Sequence, residues 1–252
     1  MNSDTSAAAE KGVDPARLPA HIAVIMDGNG RWARKRLMNR VRGHEQGADV
    51  VREIVRTCRK LGIGVLTLYA FSTENWQRPK TEVRALMLIL KKFLKSEQQE
   101  MRDNNIRFHV IGQISKLPED VQAAISETKS LTADNSGMIL NLALSYGSRS
   151  EICCMVQEIA RKVKEGRISP GDISEELISD HLFTAGMPDP DLLIRSSGEM
   201  RISNFLLWQI AYSEIYVTDT LWPDFSGEEL IRIIKEYQKR ERRFGKVPQS
   251  SE

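Results

Sequence analysis

Residues 21–33 read His21-Ile22-Ala23-Val24-Ile25-Met26-Asp27-Gly28-Asn29-Gly30-Arg31-Trp32-Ala33, an apolar run rich in Ile and Val that ends abruptly in an acid and two glycines. So short a run, bounded by turn residues, predicts a strand buried on both faces. Five further runs of this kind lie at 65–71, 106–112, 138–144, 191–195 and 214–218. Between most of them apolar residues recur at helical spacing, as in Val50, Val51, Ile54, Val55 and Cys58, and again in Val83, Leu86, Met87, Leu90 and Leu94. Strands alternating with helices predict an α/β fold: a single domain with a mostly parallel six-stranded sheet flanked by helices on both faces. Such sheets bind ligands outside the carboxyl ends of their strands, so chemistry is expected just after each run.

The 252 residues suit one such domain. Residues 1–18 are small, polar and aperiodic and are expected to be a disordered leader; 19–245 form the folded domain and 246–252 a flexible tail. Lys plus Arg number 36 against 34 for Asp plus Glu, a net charge of +2. That balance gives no ground for a nucleic-acid partner or a strongly membrane-adsorbing surface. Cys58, Cys153 and Cys154 are odd in number and lack CxxC spacing, which fits a reduced, cytoplasmic chain. The first residues contain no apolar signal core, and no later run approaches the ~18 apolar residues of a membrane span.

At the end of the first strand, Gly28 and Gly30 let backbone N–H groups approach a ligand, and the helix that follows adds partial positive charge. The pairing suits phosphate, although an ordinary tight turn uses the same residues. The spacing of Gly28, Gly30 and Ala33 also satisfies a dinucleotide fingerprint. The acid which that site requires should end a second strand, whereas Asp49 and Glu53 lie in a helical pattern. Moreover, Asp27 would face the pyrophosphate, and two like charges ~4 Å apart repel by roughly 4 kcal/mol at an effective dielectric near ~20. A divalent cation between them reverses the sign, so Asp27 points to Mg²⁺ and a diphosphate, with an N-cap as its plainer role. Arg31, Arg34, Lys35, Arg36, Arg40 and Arg42 follow, with His44 close behind; a solvated helix face is the bland alternative.

The second run ends in Ser72-Thr73-Glu74-Asn75-Trp76-Gln77-Arg78-Pro79, a polar loop facing the same rim. Ser72 and Asn75 can bind phosphate or cap the next helix, Arg78 can grip an anion, and Trp76 can cover an apolar tail or simply pack. After the fifth run, Arg195, Arg201 and Ser203 surround a glycine turn and offer a second anion site. Glu214 opens the last run, where it is an edge carboxylate or a second metal ligand.

Three motifs are now in hand: HIAVIMDGNGRWA with Arg40-x-Arg42-Gly43-His44 behind it; Ser72-x-Glu74-Asn75-Trp76-x-Arg78-Pro79; and RSSGEMRISNFLLWQIAYSE at 195–214. In this order they resemble the cis-prenyltransferases, bacterial undecaprenyl diphosphate synthases most closely, over residues 18–245. Ser196 stands where threonine is usual and Ser148 where glycine is common. The resemblance implies the cis-prenyltransferase fold and the condensation of isopentenyl diphosphate in cis onto an allylic diphosphate such as farnesyl diphosphate, giving undecaprenyl diphosphate for cell-wall synthesis. It implies that Asp27 binds Mg²⁺ and assists departure of the allylic diphosphate, which Gly28, Asn29, Gly30, Arg31, Trp32, Arg40 and His44 hold. Ser72, Thr73, Glu74, Trp76 and Arg78 fall in the second substrate motif, with Asn75 implicated in proton removal. Arg195, Arg201, Ile202 and Ser203 would hold isopentenyl diphosphate, with Glu214 contributing to the metal. A homodimer that shares part of this last cluster, and transient membrane contact for product release, are also implied. The chain lacks the DDxxD pair of the all-helical trans-prenyltransferases. Each exposed CH₂ of a growing chain forfeits ~0.8 kcal/mol, so an apolar tunnel is expected, with the helix at Val83–Leu94 as a candidate wall and Ala70 at its mouth. A non-catalytic accessory subunit and a nucleotide oxidoreductase are the alternatives; accessory subunits generally lack parts of the first two motifs, which are intact here.

Overall fold

The computed structural model describes Ala8 and residues 11–240. Its strands are β1 (His21–Ile25), β2 (Val65–Ser72), β3 (Arg107–Ile111), β4 (Ile139–Tyr146), β5 (Leu192–Arg195) and β6 (Glu214–Val217). They form one sheet in the order β3-β4-β2-β1-β5-β6, and every neighbouring pair is parallel. The helices are α1 (Asn29–Lys35), α2 (Arg40–Leu61), α3 (Lys80–Asp103), α4 (Glu119–Leu131), α5 (Ser148–Lys164), α6 (Glu175–Ser179) and α7 (Gly227–Gln238).

Alternation along β1 divides the core in two. Ile22 and Val24 join the larger cluster beneath α2, α3, α4 and α7, while Ala23 and Ile25 join Leu193, Ala143, Phe205 and Leu206 on the other face. Both faces are therefore covered, which is why the strands read as unbroken apolar runs. The chain leaves β1 toward β2 and leaves β5 toward β6, in opposite directions across adjacent strands. The crevice where such an order reverses is where open α/β sheets hold ligands. Here Ile25 is in register with Arg195, so Asp27 and Arg195 emerge side by side at that point.

Of the expected disordered leader, residues 1–7, 9 and 10 lie outside the described residues, and the remainder departs from the expectation. Ala8 and Val13 are buried in the core, and Pro15–Arg17 form a 3-10 turn whose cap, Asp14, accepts from the Ala16 amide at 3.0 Å. Residues 11–18 thus belong to the fold, because Val13 closes its apolar surface. The expected tail, 246–252, lies outside the described residues.

Candidate active site

Gly28 turns the chain from β1 into α1 with φ of +106°, a backbone conformation that side chains resist, and a Cβ there would meet the Leu221 backbone at 3.1 Å. The turn points the Asp27 carboxylate across the switch point. Its Oδ2 accepts from Arg195 Nη2 at 2.9 Å and lies 3.1 Å from Arg31 Nη2, while Oδ1 accepts from the Gly28 amide at 2.6 Å. Partial burial pushes this carboxyl upward, but the hydrogen bond from Arg195 and the charges of Arg31 and Arg195 outweigh it and hold it below the ordinary range. Ser196, the departure from threonine, keeps the needed hydroxyl: it accepts from the Asp27 amide at 2.9 Å and donates to the Asp27 carbonyl at 2.7 Å.

Arg195 is only 4% exposed. Besides Asp27 it donates to Ser203 Oγ at 2.8 Å and to the Arg201 carbonyl, and its Nε is buried without a partner. Arg31 donates to Ser197 and to Glu199, and Glu199 also accepts from Arg201 at 2.6 Å. The first and third motifs are in this way one cluster, with Asp27, Arg201 and Ser203 hydrogen-bonded to Arg195, and Arg31 joined by its ion pair with Asp27 and through Glu199 to Arg201.

Helix α2 holds the loop from behind. Gly43 and Gly47 lie one turn apart on its inner face, where a Cβ would meet the Asn29 carbonyl at 2.1 Å and Asn29 Oδ1 at 2.4 Å. Only glycine permits this approach. Asn29 Oδ1 is left buried without a partner, an atom available to a donor or a cation.

Sequence reasoning missed Glu82. In the first turn of α3 and only 8% exposed, it accepts from Arg40 at 3.2 Å and from Arg78 at 3.1 Å, with His44 Nε2 at 3.9 Å. It aims cations from the first and second motifs at one space. Burial, aided by the charges of Arg78 and Arg40 and opposed by Glu82, pushes the His44 imidazole down to about 4, so it is neutral at pH 7.

Behind this polar mouth lies a cleft of about 250 Å³. Asp27, Gly28, Asn29, Gly30, Arg31, Arg40, His44, Asn75 and Arg78 line its mouth. Its interior is apolar, with Leu86, Ile89, Leu90 and Phe93 of α3 facing Leu68 and Leu142 of the sheet. Helix α3 is therefore a wall, and Ala70 lines the cleft as expected.

Other candidate residues lie outside the lining of this cleft. Trp32 turns away from the cleft: its Nε1 donates to Asp224 at 2.6 Å, and it packs with Ala33 and Leu221 beneath the Arg36 guanidinium. Trp76 donates to Ser145 at 2.9 Å and meets Phe71 edge to face on the far side of its turn. Ser72 takes the capping role, its amide donating to Asn75 Oδ1 at 3.1 Å, and Glu74 accepts from Asn204. Thr73, on the same turn, packs close to Gly147. Ile202 packs into the second core cluster. Glu214 does not meet Asp27 within the chain. As the first residue of β6 it is in register with Leu192, at the amino-terminal edge of the sheet, and it pairs with Arg240.

Among the described residues Asp27 is the single carboxylate lining the cleft. One carboxylate, with remaining positions left to water and substrate oxygens, is how Mg²⁺ is commonly held beside a diphosphate; the free Asn29 oxygen fits the same role. Among the described residues no group of three or more His, Cys, Asp or Glu could form a protein-only cage.

The arrangement defines a class of site, one for a ligand with an anionic head and a hydrocarbon tail. Residues 25–245 match the family described as "Putative undecaprenyl diphosphate synthase". An isoprenyl transferase of Geobacter sulfurreducens is 55% identical over 236 residues, spanning 94% of this chain and 96% of its own. Among solved structures, lavandulyl diphosphate synthase from Lavandula x intermedia in complex with dimethylallyl diphosphate matches with a TM-score of 0.89 and 40% identity, covering 92% of this chain and all of that one. A probable undecaprenyl diphosphate synthase from Campylobacter jejuni matches with a TM-score of 0.74 and 35% identity, over 90% and 99% of the two chains. The chain belongs to the undecaprenyl diphosphate synthase family and is a prenyl-transferring enzyme of the cis type.

Proposed function

We propose that the protein condenses isopentenyl diphosphate in cis onto farnesyl diphosphate and repeats the step to undecaprenyl diphosphate, the lipid-carrier precursor for cell-wall synthesis. The observation that carries this reading is the join between a cationic mouth and an apolar cleft. The mouth suits a diphosphate, and the cleft suits its isoprenoid tail.

Ionisation of the allylic C–O bond builds negative charge on the departing diphosphate. The amides of residues 28–31 and the guanidinium groups of Arg31, Arg40 and Arg78 are positioned beforehand, so they favour the transition state over the ground state. Asp27 and Asn29 would hold Mg²⁺ jointly with diphosphate oxygens, and the ion when bound supplies positive charge against the leaving group. Arg195, Arg201 and Ser203 take the diphosphate of isopentenyl diphosphate. Its double bond attacks the allylic carbon as the C–O bond breaks, and a proton then leaves from the carbon beside the new bond to an oxygen of the released diphosphate; Asn75, lining the cleft, is assigned to positioning that removal. Asp27, Asn29, Arg31, His44, Asn75 and Arg78 are all in place, which supports catalysis by this chain rather than an accessory role.

The protein acts as a homodimer in the cytoplasm. The exposed Ile215 on the edge strand β6, with exposed Met200 and Tyr212 nearby in sequence, supports pairing of two copies there. No helix among the described residues is long and apolar enough to cross a membrane. The test is incubation with farnesyl diphosphate, labelled isopentenyl diphosphate and Mg²⁺. A butanol-extractable product that co-migrates with undecaprenol after dephosphorylation is expected; absence of any extractable label rejects the reading.

A further inference from the structure

The near-neutral total conceals one strongly basic element. Between Lys80 and Lys95, helix α3 carries Lys80, Arg84, Lys91, Lys92 and Lys95 against a single acid, Glu82. Glu82 is turned inward onto Arg40 and Arg78, and Lys91 is paired with Asp120. Among the described residues Lys80, Arg84, Lys92 and Lys95 have no ion-pair partner.

Lys80, Arg84 and Leu88 follow one another at intervals of four on one exposed face, and Leu88 is 58% exposed. Beside them runs a groove lined by Trp76, Val83, Met87, Pro118 and Val121, with Arg78, Lys80 and Arg84 as its cations. Its one acid, Asp120, is the residue already paired with Lys91. Met87 and Arg78 also line the main cleft. The basic, partly apolar face is thus the outer side of the helix whose inner side walls the cleft.

Two copies of this chain meeting through this same face would set like charge against like. An amphipathic face with lysine and arginine beside exposed leucine matches instead a surface of phosphate head groups over acyl chains. We propose that the outer face of α3, with the groove beside it, docks on an anionic lipid bilayer. Docking would rest the wall of the cleft against the phase that takes up a polyprenyl product; that consequence, though not the docking, depends on the function proposed above.

The experiment is co-sedimentation of the full chain with vesicles of phosphatidylcholine alone or of equimolar phosphatidylcholine and phosphatidylglycerol. Binding to the mixed vesicles, weakened by added salt and negligible on the neutral ones, is expected. The double variant Lys80→Gln/Arg84→Gln should bind about 25-fold more weakly, roughly fivefold per cation, and Leu88→Ser should weaken binding further. Condensation of soluble substrates should be unchanged in both variants, which separates the docking claim from the catalytic one. Failure of the wild type to bind mixed vesicles, equal binding to neutral ones, or wild-type affinity in the double variant overturns the proposal. So does saturable uptake of monomeric decanoate without vesicle binding, which would make the groove a site for single amphiphiles, or equal retention by polyglutamate, which would assign it to an acidic protein.

Discussion

Asp27→Asn removes one negative charge from between two guanidinium groups while nearly keeping the side chain's shape. The Arg195 side chain, 5% exposed, loses a carboxylate at 2.9 Å, and Arg31, 36% exposed, loses one at 3.1 Å. Removing the partner of a buried charge costs ~3 kcal/mol at the low end, which applies because Ser203 and the Arg201 carbonyl remain on Arg195. The more exposed pair adds at most ~1 kcal/mol. At about 2–4 °C per kcal/mol for a chain of this size, a loss of ~3 kcal/mol lowers the melting midpoint by roughly 6–12 °C. The depressed Asp27 carboxyl contributes stability above its ordinary value of 3.8 and loses it as pH falls through the lower folded value. The gap between wild type and variant therefore holds from neutral pH to about 3.8 and narrows as pH falls from there toward the lower folded value. Ligand binding moves in opposite senses. Without metal the variant binds inorganic pyrophosphate more tightly, since the two arginines no longer share Asp27; with Mg²⁺ the wild type gains affinity and the variant does not. Calorimetric titration with and without Mg²⁺ measures both. Equal enhancement by Mg²⁺ in the two proteins would refute the assignment of Asp27 to the metal.

Leu90→Trp places a larger side chain on the cleft-facing side of α3, so products shorten toward the starter while the first condensation persists; chromatography of the dephosphorylated products reads this directly. Glu82→Gln removes the charge that orients Arg40 and Arg78, and about a tenfold rise in KM for the allylic substrate is expected from a lost charged hydrogen bond, with kcat changed less. His21 and His44 are both pushed down to about 4, chiefly by burial. Both stay neutral in the fold and charge in the unfolded chain, so stability is fully present above about 6.5 and declines toward 4, by on the order of 3 kcal/mol for each; flat urea midpoints between pH 7 and 5 would contradict this.

The strands were legible because parallel strands covered on both faces are unbroken apolar runs, and each observed strand falls within a residue or two of its run. The anion loop at 28–31 was legible for a local reason, since two glycines after an acid at a strand end have few other uses. Glu82 was not, because its meaning depends on Arg40 and Arg78 arriving from different elements. Gly43 and Gly47 carried a signal in their one-turn spacing, but the backbone they admit is distant in sequence. Trp32 and Trp76 show that proximity to a motif does not tell which side of a turn an aromatic takes; each had an internal acceptor, Asp224 or Ser145, that sequence did not reveal. The distance of Glu214 from Asp27 within one chain was also legible. A residue that opens a strand in a parallel sheet lies at the edge opposite the residues that follow the strands, where Asp27 sits.

The central claim, that one cleft seats a diphosphate at the β1 rim with its isoprenoid tail against α3, is tested most directly by a crystal structure with farnesyl thiodiphosphate and Mg²⁺. Density for the diphosphate on the 28–31 amides with Arg40 and Arg78, and for the tail among Leu86, Leu90 and Phe93, is the expected result. A diphosphate bound away from Asp27, or a tail lying outside the cleft, would contradict it.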